Sequence, residues 1–217
     1  GIHITGVDTQ GIFYGLQSLK QMLPPAIFYQ DYEAHPDALP DFKVGFIKIK
    51  DAPRFAWRGF MLDSCRHIQP VEKIKQYIDL MALYKMNIFH WHLTEDEAWR
   101  AEVKKYPKLT TIGGYPGDRS KDEELNGFYT QEQMREIVSY ANEHYIKVVP
   151  EFDIPGHVNA LLMAYPEYGC NEGPPLKMGK FGMRSFSSDA GRRAICVGKH
   201  EATIPFILDV FTEFKTI

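Results

Sequence analysis

KMNIFHWHLTEDEAWR, Lys85 to Arg100, passes from an apolar run into a dense polar cluster. From Phe89 onward it holds two histidines, two tryptophans, three carboxylates and an arginine. A strand entering through Lys85, Met86, Asn87 and Ile88 delivers these groups together at its C-terminal edge. Polar and aromatic residues gathered at one strand end suit a sugar-binding or acid/base site. Taken alone the stretch could be a surface loop, so its meaning depends on what surrounds it.

Working outward, a strand–helix rhythm frames it from Trp57 onward. Trp57 to Leu62 reads as a short strand. Pro70 opens a helix whose Val71, Ile74, Ile78, Met81 and Tyr84 form one apolar stripe, with proline at its favoured first position. Thr130 and Gln133 make a capping box ahead of a helix carrying Met134, Ile137, Val138 and Ala141. Ile146 to Phe152 is nearly apolar throughout, the pattern of a parallel strand buried on both faces. A loop-rich stretch from Tyr165 to Lys199 leads to a last helix through Ile204, Ile207, Val210, Phe211 and Phe214. Alternating strands and helices point to parallel β/α units.

Each of these strands ends in chemistry. The first ends in Asp63, Ser64, Cys65, Arg66 and His67, the second in His92, Leu93, Thr94, Glu95 and Asp96. The third ends in Glu151, Phe152, Asp153, Ile154, Pro155, Gly156 and His157. C-terminal strand ends share one face in parallel β/α architecture, and in (β/α) barrels that face carries the active site. Carboxylates, an arginine and histidines are therefore expected to converge although they lie roughly 30 to 60 residues apart in sequence.

The first 50 or so residues read differently. Ile2 to Val7 alternates like a strand, Gln10 to Met22 has helical spacing, and Pro24-Pro25 ends that helix. Lys43 to Lys50 alternates again. This suggests a strand–helix–strand remnant of a small α+β unit over residues 1–50, with the β/α part over residues 51–217.

Composition narrows the function classes. The chain has 217 residues, 44% of them hydrophobic and 24% charged, ordinary for a globular protein. A net charge of -3 gives no electrostatic reason to expect nucleic acid or anionic membrane as partner. No apolar run approaches the roughly 20 residues that span a bilayer. Gly1-Ile2-His3-Ile4-Thr5 lacks both the basic start and the apolar segment of a signal peptide, and without an initiator methionine it reads as a processed or excised chain. Three cysteines, with no CxxC pair, make neither a disulfide framework nor a zinc motif. Cys65 suits a packed thiol, while Cys170 and Cys196, in loop-like sequence, could pair in an oxidising compartment.

Several residues admit more than one reading. Arg66 could be an ion-pair partner of Asp63 or Asp153, and His157 could cap the next helix. His90 and His92 lie on one strand face and, with Asp96, could be metal ligands, although no third ligand has motif spacing. Trp91 should face the helices; Trp99 fits the core and a sugar platform equally well. Lys104-Lys105 and Asp122-Glu123-Glu124 are most simply solvated faces.

Together the clusters resemble the glycoside hydrolase family 20 β-N-acetylhexosaminidases. The matching pieces are RGFMLDSCRH (Arg58 to His67), KMNIFHWHLTEDEAWR (Lys85 to Arg100), YPKLTTIGGY (Tyr106 to Tyr115), YTQEQMREIVSYA (Tyr129 to Ala141) and VVPEFDIPGH (Val148 to His157). GIFYGLQSLKQML near the start resembles the end of the small domain that precedes the barrel in this family.

The resemblance implies an α/β fold made of the first three β/α units of a (β/α)8 TIM-type barrel. It implies hydrolysis of terminal N-acetyl-β-D-hexosamine residues with retention, the substrate's own acetamido group attacking the anomeric carbon. Arg66 matches the arginine that holds the terminal sugar's hydroxyls, a role for which a planar fork of donors suits better than lysine. Asp96 joins it on the substrate side. Glu95 stands where the family often has the first of two aspartates, supporting catalysis with His157. Asp63, His92, Glu151 and Asp153 would orient these groups from behind.

An HxGGDE-like motif, which in the family carries the acetamido-orienting aspartate and the general acid, does not occur in these residues. The chain is therefore expected to stop before the fourth strand, to need the remainder of the barrel as partner, and to turn over little alone. No cofactor or metal is implied, and a periplasmic or extracellular location is favoured. A non-catalytic carbohydrate-binding or interaction module on the same fold is the alternative.

Overall fold

The computed structural model describes residues 1–28, 43–115, 126–170, 194–198 and 201–217. Its centre is a parallel sheet of three strands in the order β1-β2-β3, with β1 at Gly59–Asp63, β2 at Ile88–His92 and β3 at Lys147–Glu151. The register aligns Asp63 with His92 and His92 with Glu151, so the last residues of all three strands form one row. Met61, His90 and Val149 form the row beneath on the same face. The opposite face carries Leu62, Trp91 and Pro150, then Phe60, Phe89 and Val148.

That second face is covered by helices. α1 spans Thr9–Met22, α2 Val71–Leu83, α3 Lys108–Thr111, α4 Gln131–Glu143, α5 Asn159–Ala164 and α6 Thr203–Phe214. Ile74, Ile78 and Met81 of α2 and Met134, Ile137 and Ala141 of α4 pack with Phe89 and Trp91 in one core cluster. A second cluster joins Trp99, Val103 and Leu109 to Ala160, Leu161, Phe206 and Val210, and Phe152 and Phe214 touch both. The capping box forms: the Thr130 side chain accepts from the Gln133 amide and the Gln133 side chain accepts from the Thr130 amide. Pro70 stands one place before the helix it opens, at the cap.

Three expectations are corrected. Residues 2–7 and 43–50 form no strand, although α1 between them does form, with the Asp8 side chain accepting from the Gly11 amide as its cap. An alternating pattern supplies a face but not a neighbour, and a ladder needs both; Ile2, Val7, Phe46 and Ile47 find no sheet and stand exposed. Instead α1 sits at the sheet's N-terminal end, where the Lys85 ammonium donates to Ser18 Oγ at 2.6 Å and Arg58 donates to Tyr14 Oη at 3.1 Å. β1 begins two residues later than expected because the Arg58 amide is taken by the Asn87 side chain at 2.9 Å and Trp57 stays exposed.

β3 is not buried on both faces. Paired only with β2, it is an edge of the described sheet and half exposed, whereas β2 in the centre is almost wholly buried. Pro150 fits this position: Lys147 donates to Asn87 O and Glu151 O accepts from Leu93, so the odd-numbered residues face β2 and proline's missing N–H falls on the edge. Between the helices and this sheet face lies a cavity of about 200 Å³ lined by Trp91, Met134, Val148, Pro150 and Phe214. It is apolar and opens away from the polar row.

Candidate active site

The polar row at the strand ends is the floor of the site. Asp63 shapes its first corner. One carboxylate oxygen accepts from the Cys65 amide at 2.9 Å and the Arg66 amide at 3.1 Å, and the other accepts from the Arg66 guanidinium. A short side chain bonding its own backbone two and three residues on makes a tight turn, and here it aims Arg66 across to β2. Arg66 Nη2 then donates to Glu95 Oε2 at 2.8 Å, and Arg66 Nε lies 3.8 Å from Glu97 Oε1. The Arg66 side chain remains 46% exposed at the open end of the sheet.

Glu95 is the hub. It is 3% exposed, and its Oε1 accepts from its neighbour's amide at Asp96 (2.8 Å) and lies 2.6 Å from His157 Nδ1. The three residues expected to gather, Arg66, Glu95 and His157, are thus linked through one carboxylate. Burial alone would push the Glu95 carboxyl up. His92, the Asp96 amide, His157 and Arg66 outweigh it and hold it down at about 2, so the group is a carboxylate at neutral pH.

His92 stands behind Glu95. Its Nδ1 lies 3.0 Å from Glu151 Oε2 and its Nε2 lies 3.5 Å from Glu95 Oε2, where it makes no hydrogen bond. The Glu95 charge first, then Glu151 and Asp63, push the buried ring's pKa up to about 9 against desolvation. His90, one row below, reaches the same Glu151 oxygen with Nε2 at 2.6 Å.

Asp96 does not touch Arg66 in the described contacts. Its Oδ1 accepts from the Asn159 amide at 3.3 Å, near the start of α5, and its Oδ2 lies 3.7 Å from His157 Nδ1. His157 caps nothing: the α5 cap is Val158, with no side-chain bond, and His157 turns to Glu95. It does so with a left-handed backbone, φ 53°, uncommon for a residue other than glycine. The Asp153 amide donates to Thr94 Oγ1 at 2.8 Å, tying the β3 loop to the β2 loop. The open readings of Arg66 resolve toward Asp63 and Glu95 rather than Asp153. Trp99 is 3% exposed and belongs to the core.

His90, His92 and Asp96 do not converge on a point, because both histidine rings turn to Glu151. Carboxylate and histidine atoms of His92, Glu95 and Asp153, and of Glu95, Asp96 and His157, do lie within 4.8 Å of one another. Both Glu95 oxygens, however, already serve donors, and Arg66 places a positive charge where a cation would enter.

Two residues escaped sequence reasoning. Glu97 sits beside Arg66 with one buried oxygen lacking a hydrogen bond, and burial pushes its carboxyl up. Arg100 is fully buried and donates to Ser64 O (3.1 Å), Cys65 O (2.9 Å), Gly114 O (3.0 Å) and Gly127 O (2.8 Å). It staples the turn carrying Arg66 to two neighbouring loops. Gly127 serves that staple from φ 125°, a conformation only glycine adopts freely. The position of Arg100 five residues past Glu95 was visible; that its partners are carbonyls was not.

A parallel sheet of β/α units with an arginine, a buried carboxylate and a histidine joined at its C-terminal strand ends defines the α/β class whose sites sit at that rim. Residues 55–217 match the catalytic domain of glycosyl hydrolase family 20, and the chain belongs to that family. It is 49% identical over 172 residues to a beta-hexosaminidase of Porphyromonas gingivalis, covering 78% of this chain and 21% of that relative. It is 34% identical over 218 residues to a beta-hexosaminidase of Akkermansia muciniphila, covering 100% of this chain and 41% of the relative. Among solved structures it superposes on a beta-N-acetylhexosaminidase from Bacteroides fragilis with a TM-score of 0.75 at 37% identity, covering 97% of this chain and 37% of that one. A mutant Streptomyces plicatus beta-hexosaminidase in complex with the product GlcNAc gives a TM-score of 0.76 at 38% identity, covering 94% and 38%. The chain thus spans well under half the length of these relatives.

Proposed function

We propose that the protein hydrolyses terminal non-reducing N-acetyl-β-D-hexosamine residues from glycans, by a retaining mechanism in which the substrate's acetamido group is the nucleophile. The observation that carries this reading is the Glu95 carboxylate, which binds Arg66 on one oxygen and His157 on the other at the open end of the sheet. The Arg66 fork, held charged by Asp63 and Glu95 and half exposed, offers paired donors to vicinal sugar hydroxyls. Asp96, buried, backs His157 while accepting from the Asn159 amide. Glu95 fixes which ring nitrogen of His157 is occupied and leaves Nε2 to face a general acid. That acid and the acetamido-orienting carboxylate belong to a fourth strand supplied by the rest of the barrel, and residues 1–217 alone turn over little. Residues 51–217 are then the first three β/α units and residues 1–50 the end of a preceding small domain. A periplasmic or extracellular site of action accords with a glycan substrate.

The relatives named above are hexosaminidases, which supports the enzymatic reading over a non-catalytic sugar-binding module. The test is turnover of a chromogenic N-acetyl-β-glucosaminide by the full-length protein. Arg66→Ala should lower kcat/KM by about a hundredfold or more. Binding of N-acetylglucosamine with no hydrolysis by the full-length protein would favour the module.

A further inference from the structure

His90 stands beside the site without belonging to the Arg66, Glu95 and His157 cluster. The ring lies on the same sheet face as the site, one row below His92, and both rings meet a single oxygen: Glu151 Oε2 is 2.6 Å from His90 Nε2 and 3.0 Å from His92 Nδ1. A carboxylate oxygen has lone pairs for two donors. As ion-pair contacts they hold the Glu151 carboxylate from two directions and fix the edge that the His92 ring turns toward it. The other edge of His92 then faces Glu95 at 3.5 Å. His90, Glu151, His92 and Glu95 thus stand in file along the sheet face, joined by ion-pair contacts of 2.6, 3.0 and 3.5 Å, toward the residue that holds Arg66 and His157.

We infer that His90 is a positioning residue of this site, holding Glu151 in place so that the His92 ring keeps its other edge toward Glu95. The inference rests on the glycosidase reading for its kinetic test only.

The charges around His92 and Glu95 support the direction. The end of β1 contributes Asp63, the buried Cys65 thiol and Arg66. The β2 turn adds Asp96 and Glu97, and Arg100 spans the turn from behind. From β3 and its loop come Glu151, Asp153 and His157. Carboxylates outnumber cations here, so losing the alignment of His92 removes a cation that the others do not replace. Glu151 is itself 33% exposed, and without His90 it is free to turn toward solvent and release His92.

The experiment compares pH profiles of kcat/KM for the full-length protein with His90→Leu and His90→Gln. Leucine removes the donor; glutamine returns an N–H near the position of Nε2. For His90→Leu the acid limb should move up by about one pH unit, with about a tenfold loss at its acidic end. His90→Gln should keep the wild-type limb. An unmoved limb in His90→Leu, or an equal shift in both variants, overturns the inference. Ring-nitrogen NMR of the wild-type protein provides a second test that needs neither variant to fold. Nε2 of His90 protonated at pH 7 supports the contact with Glu151, and a bare Nε2 overturns it. Absence of any hydrolysis by the wild type would count against the proposed function, while the ring-nitrogen result still decides the role of His90.

Discussion

Glu95 and His92 bear opposite charges at close range, and each makes the fold sensitive to pH in its own window. The Glu95 carboxyl is depressed from 4.5 to about 2, so its contribution is present above about pH 4.5 and lost as pH falls through about 2. The His92 ring is raised from 6.5 to about 9, so its contribution is complete below about pH 6.5 and lost as pH rises through about 9. Thermal melting of the full-length protein should therefore show a decline between pH 6.5 and 9.5 that His92→Gln flattens. At pH 7 Glu95→Gln should cost more in activity than in fold, because the amide can still bond one neighbour but gives Arg66 and His157 no charge. A loss of about a hundredfold in kcat/KM with a melting shift of a few degrees is the expected pattern. Arg66→Lys should rescue little, since a single ammonium cannot serve both Asp63 and Glu95 and still offer a fork to a sugar.

At the scale of elements, the strand ends are held in place by buried polar contacts more than by the ladder. Trp91 Nε1 donates to Ser64 Oγ at 2.9 Å, and Tyr129 Oη donates to Gln69 O at 2.7 Å while accepting from the Gln69 amide at 3.0 Å. With Arg100 these contacts fix the turn from Ser64 to Gln69. Arg100→Met fills a similar volume but removes a donor from four carbonyls, of which Gly114 O keeps the Gly127 amide. It should destabilise by about 3 kcal/mol or more, measured by denaturant unfolding. Removing the α4 cap with Thr130→Ala should cost only about 1 kcal/mol, because the apolar face of that helix remains. Much of this level was legible: the Pro70 and Thr130 helix starts, the β2 alternation and the outward Trp91 all follow from local pattern. Strands at 2–7 and 43–50 did not form, since local alternation does not say whether a neighbouring strand exists. The role of Arg100 was hidden for a related reason, as its partners are main-chain carbonyls that carry no side-chain signature.

For the whole molecule, the open sheet matters most. β1 and β3 each have one unpaired side among the described residues, and α6 presents Ile204 and Leu208 to solvent. Exposed strand edges beside apolar helix faces favour self-association. Residues 1–217 expressed alone should elute above monomer size and bind a hydrophobic dye, and the full-length protein should do neither; size-exclusion chromatography with light scattering checks this. The convergence of Arg66, Glu95 and His157 was foreseeable because parallel topology puts all C-terminal strand ends on one side. The hydrogen-bond order within the cluster was not, because Asp96 and Glu97 are as close in sequence as Glu95 and only the turn geometry distinguishes them.

Asp63, His92 and Glu151 stand abreast across the sheet, which makes the strands intolerant of insertions and deletions in a way their connecting segments are not. Deleting Phe89 would turn both histidines into the greasy layer and swing Trp91 out toward the polar row. Natural variation in this protein's lineage should therefore lengthen and shorten the connectors while leaving the residue count of each strand untouched.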